Sequence, residues 1–288
     1  MAEDRFAGDP RVTPVRPDLA PLELRGKVEA EAYASAQPMR CAVPVAPMSA
    51  RPDADSEQVS QLLFGEDFDA YEVERGWAWG QCRRDGYVGY VPQADLMPDP
   101  KTAPTHRVHA LQALIHPEPA VKSRAFGAVP FGALVTVTGE AEGGWVALDP
   151  GGFAASAALR PVETEEKLWV GTAERFLGAP YLWGGRSPAG FDCSGLVQAA
   201  LLAAGMSCPR DSDMQMAALG REVPARGALK RGDLVFWKGH VAIMTSPAMM
   251  LHANAHHMAV AAEPFETAKA RIAEAGGGPV LEVRRVIG

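Results

Sequence analysis

The sequence predicts an α+β protein in which two small β-barrels precede a mixed domain, where one helix meets several short strands. Three observations predict it. Residues 191–205 pass from Phe191-Asp192-Cys193-Ser194-Gly195 into an Ala- and Leu-rich stretch closed by Gly205. That is the composition of a helix capped at both ends. Downstream, residues 232–237, 239–244 and 249–254 are apolar runs of strand length separated by short turns. Upstream, two stretches repeat one order: an apolar strand, Gly-Trp opening an alternating strand, and Gly-aromatic opening a last strand.

At 288 residues the chain has room for about two or three domains with proper cores. A hydrophobic content of 47% and a charged content of 22% are those of an ordinary globular protein. The net charge of −7 argues against nucleic acid or an anionic membrane as partner. No run of roughly 18 apolar residues occurs, so no transmembrane helix is expected. Residues 1–10 carry acids and a proline where a signal peptide needs a basic and then an apolar run. The expected location is cytoplasmic, or periplasmic if a leader has been trimmed. The four cysteines, Cys41, Cys82, Cys193 and Cys208, lack metal-type spacing, and their even number permits disulfides without suggesting them.

In chain order, residues 1–40 hold Pro10, Pro14, Pro17 and Pro21 and read as an N-terminal arm. Residues 41–100 form the first barrel, with strands at Gly65–Tyr71, Gly76–Trp79 and Gly89–Leu96; residues 101–162 form the second, with Pro130–Val137, Gly144–Leu148 and Gly152–Leu159. Trp77, Trp145, Tyr90 and Phe153 are expected at barrel core or rim. The first copy inserts Arg83–Val88, with Asp85-Gly86 turn chemistry, and Tyr87 beside the tip is expected to be more exposed than Tyr90. The second copy shortens this region to Asp149-Pro150-Gly151. Residues 163–288 form the last domain.

The chemistry concentrates in that last domain. Cys193 falls in the first turn of the predicted helix with Asp192 at the cap, where unpaired N–H groups and the helix dipole favour a thiolate. A cysteine so placed is a candidate nucleophile if a base reaches it. His240 opens one strand and His252 lies on the next, so in adjacent antiparallel strands the two can stand side by side. One would take the thiol proton and the other would orient the first. Asn254, two residues on and facing the same way, is the alternative orienter. His256 and His257 raise the question of a metal, but adjacent strand residues point to opposite faces; neither a metal nor a cofactor is expected. Asp192 poses a difficulty, because a carboxylate beside a thiol raises its pKa. A positive substrate group bound there would remove the penalty.

Asp192-Cys193-Ser194-Gly195, the upstream Pro180-Tyr181-Leu182-Trp183-Gly184-Gly185, Gly232–Phe236 and Gly239-His240-Val241 together resemble NlpC/P60 cysteine peptidases. The resemblance covers roughly residues 165–286. It implies a papain-like domain with Cys193 as nucleophile, His240 as base and His252 as orienter, acting on peptidoglycan stem peptides after γ-D-glutamate. The repeated barrels resemble bacterial SH3 domains. The whole arrangement is similar to dipeptidyl-peptidase VI-type γ-D-glutamyl-diamino acid endopeptidases, which implies recognition of murein peptides with a free N-terminal L-alanine. By that resemblance Asp192 and Ser194, which flank Cys193, recognise the free N-terminus together with an acid and a tyrosine of the first barrel. Glu57 and Tyr87 are the choices, with Glu66 and Tyr90 as competitors. Tyr181 and Trp183 are expected to line the cleft near the oxyanion, and the Cys193 N–H to donate to it. Arg210 pairs either with a substrate carboxylate or with Asp192. No obligatory protein partner is implied. The alternatives are a secreted or periplasmic hydrolase of intact wall, and an inactive wall-peptide binding protein.

Overall fold

The computed structural model describes residues 8–224 and 228–286. The first seven residues of the expected arm and the last two of the expected catalytic domain lie outside the described residues. The chain divides into two compact units, Met1–Pro161 and Val162–Gly288.

The regular structure of the N-terminal unit is strands, joined by loops and a few short 3-10 turns. Its first part holds β1 (Leu19–Pro21), β2 (Ala32–Ala34), β3 (Gln37–Cys41), β4 (Val45–Ser49), β5 (Gln58–Leu63), β6 (Asp67–Glu74), β7 (Trp77–Cys82), β8 (Val88–Pro92) and β9 (Leu96–Pro98). Seven of these make one sheet in the order β5-β4-β8-β7-β6-β3-β9, curled around Cys41, Met48, Leu62, Phe68, Val91 and their neighbours. The first strand of this seven-stranded sheet therefore starts at Gln37, four residues inside the expected arm, and the arm holds the β1–β2 pair as well. The arm itself is anchored. The Arg16 guanidinium donates to Glu72 and to the Tyr90 hydroxyl, and lies 4.4 Å over the Trp79 ring.

Tyr87 corrects the sequence reading. It is 5% exposed and belongs to the barrel core, whereas Tyr90 is half-buried. The reason is parity. Tyr87, Gly89 and Val91 alternate inward, so Val88 and Tyr90 take the outer face.

The second part holds β10 (His106–Val108), β11 (Gln112–Ile115), β12 (Gly127–Pro130), β13 (Leu134–Ala141), β14 (Trp145–Asp149), β15 (Phe153–Ala155) and β16 (Leu159–Pro161). Five form a sheet in the order β15-β14-β13-β10-β16, with β11 and β12 as a separate hairpin. Its core joins Val108, Ile115, Val135 and Leu148 to Leu63 of β5. Trp77, Trp145, Tyr90 and Phe153 are all half-buried, at the rim rather than in the core.

The C-terminal unit holds α1 (Trp169–Glu174), β17 (Arg186–Ser187), β18 (Gly190–Phe191), α2 (Cys193–Ala203), α3 (Ser212–Ala218), β19 (Arg221–Glu222), β20 (Asp233–Trp237), β21 (His240–Met244), β22 (Met249–Asn254), β23 (Ala259–Pro264), α4 (Phe265–Ile272) and β24 (Glu282–Arg285). Six strands make an antiparallel sheet in the order β19-β24-β20-β21-β22-β23. Val235, Trp237, Ala242, Met244 and Met250 pack with Phe265 and Ala268 of α4. The alternate residues Leu234, Phe236, Val241, Ile243 and Leu251 are buried too, so the sheet is covered on both faces. Helix α2 packs on β21 and β22, and nine of its eleven residues are buried, which makes it a core helix rather than a surface one. All four cysteines are buried thiols outside any disulfide.

Candidate active site

The site starts from the cap of α2. Asp192 has extended backbone and accepts a 2.7 Å hydrogen bond from the Gly195 N–H, satisfying one of the unpaired donors of the first turn. Its other oxygen accepts from the Gly184 N–H at 2.9 Å, which ties the glycine turn to the helix. Gly195 is required by this approach, since a Cβ there would stand 2.1 Å from the Gly185 carbonyl oxygen. The cap thus presses Tyr181–Gly185 against the start of α2 and presents Cys193 beside it.

Arg210 completes this corner. It is 1% exposed, and its guanidinium donates to both Asp192 oxygens, at 3.0 and 2.5 Å, and to the Ser194 hydroxyl at 3.0 Å. The Ser194 hydroxyl in turn donates to Asp192. Burial works against the Arg210 charge, but the Asp192 carboxylate outweighs it and the guanidinium's pKa is raised. Asp192 therefore has an internal counter-charge, and its two oxygens hold the helix cap, the glycine turn and the guanidinium together. Ser194 is turned into the same buried cluster. Of the two roles open to Arg210, the structure supplies the pair with Asp192 and gives it no path to a substrate carboxylate.

Cys193 Sγ sits 4.0 Å from the Gly239 carbonyl oxygen, and the Val241 N–H also reaches it. The sulfur is thus placed along the backbone that carries His240. Burial pushes the thiol up to about 12, with the Asp192 charge adding to it and the Val241 N–H, Arg210 and the Ser194 N–H opposing. The expected thiolate is overturned: desolvation outweighs the helix dipole, and the resting group is a thiol.

His240 Nε2 lies 2.8 Å from His252 Nδ1, and His252 Nε2 lies 2.7 Å from Glu263 Oε1. The pairing of β21 with β22 (Met244 opposite Met250) and of β22 with β23 (Met250 opposite Glu263) puts all three side chains on one face, each one diagonal step from the last. Burial is the first cause that drives both imidazoles down to about 3; His252 and Arg271 add to it at His240, and Arg271 and His257 at His252. Both rings are neutral at neutral pH. Asn254, the alternative orienter, is used elsewhere: its carbonyl oxygen accepts from the His257 N–H.

Glu263 and Arg271 were not foreseen. The Arg271 guanidinium donates to Glu263 at 2.5 Å, and Glu263 is 9% exposed. A lone acid closing an apolar strand before Pro264, with a cation eight residues on, was the only signal in the sequence. His252, His257 and Glu263 also bring ligand-type atoms within 4.8 Å of one another. There the facing atoms of His252 and Glu263 are bonded to each other, with the Arg271 cation on the same carboxylate.

Tyr181 is half-buried, and its phenol is raised to about 12 by burial and by the nearby Cys193 and Asp192, so it stays a donor next to the thiol. Trp183 is 57% exposed on the same segment. Within the N-terminal unit, Glu57 is exposed just before β5, while Glu66 is buried and bound to the Leu63 N–H and Arg84. Tyr87 is buried as described.

A helix-start thiol beside a relay of two neutral imidazoles defines a thiol hydrolase class of site. Comparison with known proteins sharpens this. Residues 178–272 match the NlpC/P60 family, and residues 48–96 match the bacterial dipeptidyl-peptidase SH3 domain. The chain is 28% identical over 232 residues to dipeptidyl-peptidase 6 of Lysinibacillus sphaericus, covering 73% of this chain and 85% of that one. It is 26% identical over 242 residues to a γ-D-glutamyl-L-lysine dipeptidyl-peptidase of Bacillus cereus, covering 72% and 71%. An NlpC/P60 family protein from Bacillus cereus superposes with a TM-score of 0.73 at 21% identity, over 87% of this chain and 100% of that one, which shows a shared fold. The chain carries an NlpC/P60 domain and a bacterial dipeptidyl-peptidase SH3 domain, and it is a cysteine peptidase.

Proposed function

We propose that this peptidase hydrolyses the bond between γ-D-glutamate and a diamino acid, diaminopimelate or lysine, in murein peptides that carry a free N-terminal L-alanine. The observation that carries the reading is the pairing of the Cys193–His240–His252 site with a bacterial dipeptidyl-peptidase SH3 domain in one chain. Likeness to two dipeptidyl-peptidases over nearly three quarters of the chain supports it. In this reading residues 101–162 are a second SH3-like module, and the role belongs to recycling of wall peptides in the cytoplasm.

Cys193 Sγ attacks the γ-carbonyl carbon while its proton passes to His240. The C–N bond then breaks as His240 returns the proton to the leaving amine. Water, deprotonated by the same ring, hydrolyses the thioester and restores the thiol. The Tyr181 hydroxyl and the Cys193 N–H, which has no partner within the helix, are the oxyanion donors.

The test compares L-Ala-γ-D-Glu-diaminopimelate with its N-acetylated form, using the wild-type chain and Cys193→Ala. Cleavage of only the free-amine peptide, abolished by Cys193→Ala, is expected. Equal cleavage of both peptides by the wild type would instead favour a hydrolase of intact wall.

A further inference from the structure

We propose that Glu263, held by Arg271, is a positioning residue that sets the tautomers of both catalytic imidazoles, so that His240 keeps an unprotonated Nδ1 and remains a base. The inference rests on the cysteine-peptidase reading but not on the identity of the peptide cleaved. It follows from the direction of each hydrogen bond. A guanidinium can only donate, so the Glu263 Oε1 that takes Arg271 Nη2 is an acceptor. His252 Nε2 faces that same oxygen and must therefore donate to it. A neutral imidazole has one N–H, which leaves His252 Nδ1 as an acceptor. His240 Nε2 faces that Nδ1 at 2.8 Å and must donate in turn. The one N–H of His240 is then spent, and its Nδ1 keeps a lone pair. Burial and the Arg271 charge hold His252 neutral, without which the chain of directions would break at its ring.

Without Glu263 nothing would fix this order. His252 could carry its proton on Nδ1, against His240 Nε2, and His240 would then carry its own proton on Nδ1 and lose the lone pair that makes it a base. The Asp192–Arg210 pair does not substitute, because it engages the cap of α2 and not either ring.

The experiment is ¹⁵N NMR of the histidine-labelled full chain without substrate. Imine-type nitrogen is expected at Nδ1 of both His240 and His252, and N–H-bearing nitrogen at both Nε2. A proton on His240 Nδ1 in the wild type overturns the proposal. Glu263→Leu should lose the pattern, slow alkylation of Cys193 by iodoacetamide, and lower kcat by roughly 100-fold or more with KM within about threefold. Glu263→Gln keeps an acceptor oxygen and should recover most of the loss. Wild-type kcat or wild-type alkylation in a folded Glu263→Leu chain would overturn it as well. Should Glu263→Leu not fold, the wild-type spectrum and Glu263→Gln decide. If the chosen peptide is not cleaved at all, the spectrum and the alkylation rate still read the relay, so failure of the substrate reading is separable.

Discussion

At the residue scale the decisive feature is the charge balance around Asp192. A carboxylate beside the nucleophile raises the thiol pKa, and a buried, bidentate arginine offsets that effect without any substrate. Removing one partner leaves the other as an uncompensated buried charge. Arg210→Met is therefore expected to cost about 3–5 kcal/mol of stability, read by urea denaturation of the full chain. The double variant Arg210→Met/Asp192→Asn should regain most of that, because asparagine still caps the helix and brings no charge. If the single variant proves as stable as the wild type, the pair is not the keystone of this corner.

At the element scale, α2 holds the nucleophile only as well as its first turn holds the Gly184–Gly185 segment. The Gly195 position leaves no room for a methyl group: the Gly185 carbonyl oxygen would be 2.1 Å from it, and both are backbone-fixed. Gly195→Ala must push the turn away from the helix. The expected cost is roughly 1–3 kcal/mol, together with a loss of kcat, because the turn carries Tyr181 and the helix carries Cys193. Thermal unfolding and peptide hydrolysis on the same variant check it. An unchanged kcat would mean that the turn can retreat without moving the site.

At the scale of the whole molecule, the burial of the two histidines links the fold of the C-terminal unit to pH. His252 is 1% exposed and its folded pKa falls from 6.5 to about 3. Between those values the unfolded chain binds a proton that the folded chain refuses, so the stability present above pH 6.5 is lost as pH falls toward 3. One such group contributes a slope of about 1.4 kcal/mol per pH unit within that window. In His252→Asn the decline of stability between pH 6 and pH 4 should be shallower than in the wild type by up to this amount. Parallel curves for the two proteins would show that the ring is not neutral in the fold.

The sequence alone determined the local parts. Helix α2 was legible because its propensity, its capping aspartate and its closing glycine agree within fifteen residues. The strands carrying His240 and His252 were legible because short apolar runs between turns mark buried strands. Parity would even have placed Tyr87 inward, had Tyr87, Gly89 and Val91 been counted as one face. What only the tertiary structure decided was which distant groups meet. Arg210 finds Asp192 across eighteen residues, and Glu263 reaches His252 through the register of β22 with β23. The physical reason is that propensity and periodicity act over a few residues and fix faces. Ion pairs and hydrogen-bond directions depend instead on which strands and helix ends pack together, and on how deeply water is excluded there. That exclusion turned an expected thiolate into a thiol.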